Sequence, residues 1–309
     1  MPRIALVVPY FGKLPDIASY FFESASHVPD FDVLLFTDAE RNLPMSKNVK
    51  LCRFTPAEFS DLASRKLGKQ LKIETPYKLC DLKPAYGAIF QDFLSDYGFW
   101  GFGDVDVIYG DLAHYLQPLL VHNDVVSFRK GWISGSLCIL RNCENVNLAY
   151  RSSANWGAAF TAPGYQMFDE VGGFFFNAIL SGADVNALKG NVDSFTHVVK
   201  RLERDGVLRC SFEDRACEDI GWGETLLYNN GKITYSQGGA EVLYVHTVLM
   251  KRRFFFVPTE RADGGRYFIR KTGVYRHNQS VGARCALETA RVFRGGASCL
   301  RRLLRRYVG

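Results

Sequence analysis

Short β-rich runs alternate with stretches of helical spacing through the first hundred residues, and few folds accept that rhythm. Ile4–Pro9 is an apolar run that stops at the turn Phe11-Gly12-Lys13, and a helical stretch follows from about Asp16 to Ser26. Asp32–Asp38 (DVLLFTD) is a second run that ends on acids, and Asn48–Phe54 is a third. Buried strands of this length, separated by helices, predict a parallel α/β sheet whose ligands bind outside the carboxyl ends of the strands. The segment Lys78–Tyr97 reads as a helix, with Leu82, Ala85, Ile89 and Phe93 at helical spacing; Pro84 suits a first turn, which would start that helix near Leu82. Val125–Phe128, Gly135–Leu140 and Val242–His246 continue the strand rhythm, and Asn229-Asn230-Gly231 predicts a tight hairpin between Thr225–Tyr228 and Lys232–Tyr235. The expectation is one α/β domain over residues 1–275, with a mostly parallel central sheet flanked by helices and a modified C-terminal third. A basic helical tail over residues 276–309 follows it.

Composition narrows the class. A 309-residue chain that is 47% hydrophobic and 23% charged can bury a sizeable core, which excludes a disordered chain, a collagen and a coiled coil. Its apolar runs, such as Ile4–Tyr10 and Phe254–Val257, fall short of the ~18–20 residues that cross a bilayer. Met1-Pro2-Arg3 leads into such a run without a cleavage site, so a cytoplasmic protein is expected. The eight cysteines are scattered singly with no C-x-x-C pair, which reads as reduced thiols rather than a zinc site.

Charge is informative once it is located. From Arg284 onward there are seven arginines against Glu288 alone, which accounts for the whole formal excess of +6. The body is therefore neutral, and a nucleic-acid partner is not expected. In the tail, Leu300, Leu303, Leu304 and Tyr307 recur at helical spacing between Arg301, Arg302, Arg305 and Arg306. Such a helix suits an anionic membrane surface, which predicts peripheral association with the inner face of the cell membrane.

The sharpest constellation is Phe102-Gly103-Asp104-Val105-Asp106-Val107-Ile108-Tyr109-Gly110-Asp111. Two carboxylates two residues apart on an extended segment point the same way and can be aimed at one hard cation. Mg²⁺ or Mn²⁺ takes such oxygen ligands and commonly bridges to a substrate's phosphates. The flanking apolar and aromatic residues place this pair at the edge of a core.

Here a resemblance enters. The chain resembles bacterial glycosyltransferases of the GT-A (Rossmann-like) type, with Asp104-Val105-Asp106 as the D-x-D signature. More narrowly, it is similar to a poorly characterised family of polysaccharide and lipopolysaccharide glycosyltransferases. The stretches that carry the likeness are Thr75–Tyr86, Phe99–Leu112 and Leu243-Tyr244-Val245-His246. The resemblance implies transfer of a sugar, hexosyltransferase-like, from a nucleotide-sugar donor (UDP- or GDP-linked) to a glycan or lipid-linked saccharide acceptor, with Mn²⁺ or Mg²⁺ as cofactor. It implies His246 as a third metal ligand beside Asp104 and Asp106, with Lys251 and Arg252 near the leaving diphosphate. A divalent ion and nearby cations stabilise the charge that grows on that leaving group.

Donor-binding candidates at the expected carboxyl edge are Pro9, Tyr10 and Phe11 after the first strand and Asp38 after the second. Lys78, Asp81 and Lys83, together with Asp104 and Val105, are candidates for the sugar diphosphate. An inverting transferase needs a carboxylate to deprotonate the acceptor. Asp169 and Glu170, ahead of Gly172-Gly173 and downstream of Gly131-Trp132-Ile133-Ser134-Gly135, are the first candidates; Glu218, Asp219 and Glu224 are the reserve. Two rival readings remain. A phosphohydrolase of the haloacid-dehalogenase type also carries a D-x-D, although Trp100-Gly101-Phe102-Gly103 looks like a poor hydrophobic strand and the motif normally lies nearer the chain start. A non-enzymatic carbohydrate-binding or membrane-adaptor protein would leave the acids and His246 without a shared purpose.

Overall fold

The computed structural model describes residues 2–39, 46–253, 256–258, 265–276, 289 and 293. The expected tail, apart from Arg276, Thr289 and Phe293, lies outside the described residues. The chain divides into two compact units. The first is built from the residues up to Leu14, Pro29–Val105 and Ala113–Arg215; the second from Pro15–Val28, Asp106–Leu112 and the residues from Ala216 onward.

A seven-stranded sheet forms the first unit, in the order Val49–Arg53, Phe31–Thr37, Ile4–Pro9, Phe99–Gly103, Leu137–Arg141, Val125–Ser127, Cys210–Phe212. The first four strands are parallel, Leu137–Arg141 runs against them, and the last two resume the original direction. This is the mixed, parallel-rich α/β architecture that the alternating runs predict. Strand order reverses between Ile4–Pro9 and Phe99–Gly103, because the chain builds outward on one side of Ile4–Pro9 and then on the other. In open α/β sheets a ligand crevice opens at such a switch point, beyond the carboxyl ends of the strands.

Helix Pro56–Leu67 starts with a capping box, in which the Thr55 hydroxyl accepts from the Glu58 N–H and the Glu58 carboxylate accepts from the Thr55 N–H. Its Phe59 and Ala63 join a core in which Phe36 stacks on Phe90 with ring centres 4.1 Å apart. The single helix read over Lys78–Tyr97 is instead four short pieces: Lys78–Leu82, a 3₁₀ turn Lys83–Ala85, Tyr86–Ile89 and a second 3₁₀ turn Gln91–Phe93. Pro84 lacks an N–H to continue the helical ladder, so the chain tightens there and starts again.

Phe99–Gly103 corrects the reading of Trp100–Gly103 as a poor strand: all five of its residues are buried at the centre of the sheet. Glycine is required by proximity, since a Cβ on Gly101 would lie 2.6 Å from the Cys138 carbonyl oxygen on the neighbouring strand. Trp100 supplies the missing bulk, and its indole N–H donates to Asn147 Oδ1 at 2.6 Å.

The second unit holds two sheets. Three strands, Val107–Tyr109, Tyr244–His246 and Ala216–Cys217, form the smaller one, with Tyr244–His246 in the middle. The larger has six strands in the order Glu241–Val242, Lys232–Tyr235, Leu226–Asn229, Arg266–Arg270, Gly273–Tyr275, Val257–Pro258. The expected hairpin is present, with Asn229 opposite Lys232 and the turn residues Asn230 and Gly231 both at positive φ. Helix Ala18–Ser26 belongs to this unit, where Tyr20 packs edge-on to Tyr267 and Tyr267 stacks on Tyr228.

The crowding at Gly101 gives a direct test. Gly101→Ala should lower unfolding stability by about 1–3 kcal/mol in urea titration, because the backbone facing the new methyl cannot move aside. A variant as stable as the parent would contradict the close approach.

Candidate metal and nucleotide-sugar site

In the first unit Pro9–Phe11, Asp38 and Asp104 lie at the carboxyl ends of parallel strands. Pro9, Tyr10 and Phe11 leave the first strand, and the Tyr10 N–H donates to the Phe36 carbonyl of its neighbour. Asp38 follows the second strand, and its Oδ1 accepts from the Gly12 N–H at 2.7 Å, tying the two loops together. Phe11 turns inward, with its ring 6.0 Å from that of Phe59. Asp104 follows Phe99–Gly103 at the switch point, and its N–H extends the ladder by donating to the Ser136 carbonyl at 3.3 Å.

Lys83 anchors that aspartate. Its ammonium donates to Asp104 Oδ1 at 2.7 Å and to the Gly135 carbonyl at 2.8 Å, and it lies 4.0 Å from Asp169 Oδ2. Burial works against its charge, but Asp104, Cys80 and Asp169 outweigh that cost and raise its pKa well above the usual lysine value. Lys83 is thus a fixed buried cation.

Asp169 and Glu170 come together around Gly135. The Gly135 N–H donates to Glu170 Oε1 at 3.1 Å, and a Cβ on Gly135 would lie 2.9 Å from Asp169 Oδ2. Only glycine lets that loop run so near both carboxylates. Asp169 is 1% exposed, and the Tyr165 hydroxyl donates to its Oδ1 at 2.9 Å. Burial pushes its carboxyl well above the ordinary range; Lys83 opposes this, while Glu170 and Asp81 add to it. Glu170 keeps partial exposure.

Lys78 and Asp81 are fully buried and pair with each other at 2.9 Å. Lys78 also donates to the carbonyls of Ala159 and Gly164, and Asp81 accepts from the N–H groups of Gln166 and Phe168. Their charges hold the Gly164–Phe168 segment, the stretch that delivers Tyr165 and Asp169. Val105 is buried as well.

The second unit holds the other half of the D-x-D. The chain passes from one unit to the other between Val105 and Asp106, so the two aspartates are tied through a single residue. Pairing of the three-stranded sheet sets what surrounds Asp106. Val107 lies opposite His246, so Asp106 meets the next residue, Thr247, whose N–H and hydroxyl both donate to the Asp106 carbonyl at 3.0 Å. His246 Nε2 lies 3.6 Å from Asp106 Oδ1, and the Lys251 ammonium, one turn beyond on helix Val248–Lys251, lies 2.5 Å from Oδ2. Asp106 is 3% exposed. Burial alone would raise its pKa, but His246 and Lys251 reverse the sign and hold it well below the carboxylate range. It stays ionised, and its Oδ2 is a buried oxygen that takes no hydrogen bond of good geometry.

Arg252, beside Lys251, is exposed. Of the reserve acids, Asp219 pairs with Arg253 at 2.9 Å and Lys271 at 3.1 Å, and Glu224 accepts from the Gly221 N–H at 2.7 Å. Glu218 faces His246 Nδ1 at 3.4 Å, a partnership across 28 residues of sequence that no spacing rule announces. Tyr165 was also not legible as a partner of Asp169. Two carboxylates and an imidazole (Asp104, Asp106 and His246) are a donor set that fits a divalent cation. Among the described residues six cysteines are free thiols, and no helix is long and apolar enough to cross a membrane.

The sequence matches a family of unknown function (DUF6625) over residues 6–278. No curated protein matches it. Among solved structures it is similar to the apo form of mouse xyloside xylosyltransferase 1, at 11% identity and a TM-score of 0.42, over 80% of this chain and 97% of that one. It is similar to the apo form of the glycosyltransferase GlyE of Streptococcus pneumoniae at 12% identity and a TM-score of 0.32, over 70% of this chain and 46% of that one. It is also similar to the galactosyltransferase LgtC, in complex with donor and acceptor sugar analogues, at 13% identity and a TM-score of 0.29, over 52% of this chain and 66% of that one.

The buried Lys78–Asp81 pair makes a prediction of its own. Lys78→Met removes the counter-charge of a buried carboxylate, and should lower unfolding stability by about 3–5 kcal/mol. A loss under about 1 kcal/mol would mean that the backbone N–H groups alone satisfy Asp81.

Proposed function

This chain belongs to the family of unknown function (DUF6625), and we propose that it is a metal-dependent glycosyltransferase that uses a nucleotide-sugar donor. The observation that carries the reading is the Asp106 carboxylate, buried against His246 and Lys251 and two residues along the chain from Asp104. An enzyme that only needed solvated surface acids would have no reason to bear that desolvation. In this reading Asp104, Asp106 and His246 hold one Mn²⁺ or Mg²⁺. When bound, that ion would stabilise the negative charge gathering on the departing nucleoside diphosphate.

The chain's own residues do the rest. Pro9, Tyr10, Phe11 and Asp38, beyond the first two parallel strands, receive the base and ribose of a UDP- or GDP-linked sugar. Lys83 fixes Asp104 and keeps a positive charge beneath the sugar diphosphate. Lys251 neutralises Asp106 and, with Arg252, supplies cations for the leaving group. Asp169 and Glu170 form the acceptor-side pair. Glu170, the less buried, is the base that takes the acceptor hydroxyl proton, while Asp169 is held by Tyr165. The acceptor is a glycan or a lipid-linked saccharide of bacterial surface polysaccharide or lipopolysaccharide synthesis. For this the arginine-rich tail, on its sequence pattern, would hold the protein peripherally at the inner face of the membrane.

A thermal-shift panel of nucleotide sugars with and without Mn²⁺ tests the reading, since a ligand that binds only the folded form raises its apparent stability. One donor should stabilise the protein with Mn²⁺ and lose that effect in EDTA, and Asp106→Ala should abolish both the shift and transfer. Full transfer activity in EDTA would refute metal dependence. Glu170→Gln should lower turnover at least ~10²-fold with donor binding retained. Normal turnover in both Glu170→Gln and Asp169→Asn would remove the base from this loop.

A further inference from the structure

Glu218 is the residue whose position the proposed function does not yet use. It follows strand Ala216–Cys217, which pairs in parallel with Tyr244–His246, Ala216 opposite Tyr244 and Cys217 opposite Val245. One more step of that register puts Glu218 opposite His246. On the other side of the same central strand, Val107 is opposite His246 and Asp106 comes just before it. The register thus sets Glu218 beside His246, while Asp106 lies one step past Val107, opposite Thr247, and the two carboxylates approach different nitrogens of the ring. Glu218 Oε1 lies 3.4 Å from Nδ1 and Asp106 Oδ1 lies 3.6 Å from Nε2. The neighbouring Asp219 is committed elsewhere, to Arg253 and Lys271.

Resting on the metal-binding reading above, we propose that Glu218 is a positioning residue for the metal site. It accepts the Nδ1–H of His246, which fixes the imidazole tautomer and presents the Nε2 lone pair towards the side where Asp106 lies. A histidine ligand must be neutral at the nitrogen that binds the ion, and which nitrogen that is depends on the hydrogen bond made by the other. The Glu218 carboxylate also raises the electron density of the ring and so its affinity for a cation. Glu218 is thereby removed from the list of candidate bases, because its carboxylate is spent on His246 rather than turned to an acceptor.

The test is Mn²⁺ binding to the full chain, with Mn²⁺ alone as probe, followed by the loss of the free-ion electron paramagnetic resonance signal. Glu218→Ala should weaken Mn²⁺ binding about 10–100-fold while leaving the melting temperature of the metal-free protein unchanged. Glu218→Gln, nearly the same in shape and still an acceptor, should recover part of that affinity. Asp106→Asn should abolish binding. If the wild type binds Mn²⁺, Asp106→Asn abolishes binding and both Glu218 variants bind as the wild type does, the positioning role is overturned and the metal site stands. If the wild type does not bind Mn²⁺ at all, both fall. If both Glu218 variants bind equally weakly and melt lower without metal, Glu218 is structural and the proposal is overturned.

Discussion

A carboxylate almost wholly withdrawn from water dictates much of what is built around Asp106. Left alone it would take up a proton, because a buried charge without a partner is too costly to keep. Two groups keep it ionised instead, the His246 ring and the Lys251 ammonium, while Thr247 locks the Asp106 backbone. All three come from one short stretch, residues 246–251, delivered by the pairing of Tyr244–His246 with Val107–Tyr109. Strand register and side-chain chemistry are thus the same fact here, since a one-residue slip would turn His246 to the opposite face.

The other aspartate of the motif is managed separately. Asp104 sits at the end of a central strand in the first unit and is held by Lys83, whose own charge is secured by Asp104 and Asp169. Asp104 pairs with Lys83, and Asp106 pairs with Lys251. In water-exposed pairs such matching counts for little, whereas Lys83 and Asp106 are both buried. The same economy runs through the Gly164–Phe168 segment, where the Lys78–Asp81 pair holds the chain that delivers Tyr165 and Asp169.

Much of this was legible in the sequence, for physical reasons that differ from residue to residue. Period and composition announced the parallel strands and the Asn230-Gly231 hairpin, because alternation and turn chemistry are local. The D-x-D stands out because two acids inside an apolar run need an explanation, whereas His246 follows only from what the resemblance implies. Phe99–Gly103 misled, since its glycines answer to the neighbouring Cys138 backbone, a non-local demand that hydrophobicity does not register. The Lys78–Tyr97 helix broke at Pro84, where a local rule overrode the period. Sequence alone offers Lys78 and Asp81 to a ligand, yet beyond each other their partners lie some eighty residues away, at Ala159 and Phe168. Glu218 was visible only as an acid; its partnership with His246 depends on strand pairing, which no spacing encodes.

The central claim is that Asp104, Asp106 and His246 hold one divalent cation, and anomalous diffraction from crystals soaked in Mn²⁺ and a nucleoside diphosphate tests it most directly. The account predicts a single strong manganese peak within about 2.0–2.3 Å of an oxygen of each aspartate and of His246 Nε2, in line with usual metal–ligand distances. A manganese peak remote from these residues, or no peak with Lys251 still paired to Asp106, would contradict it.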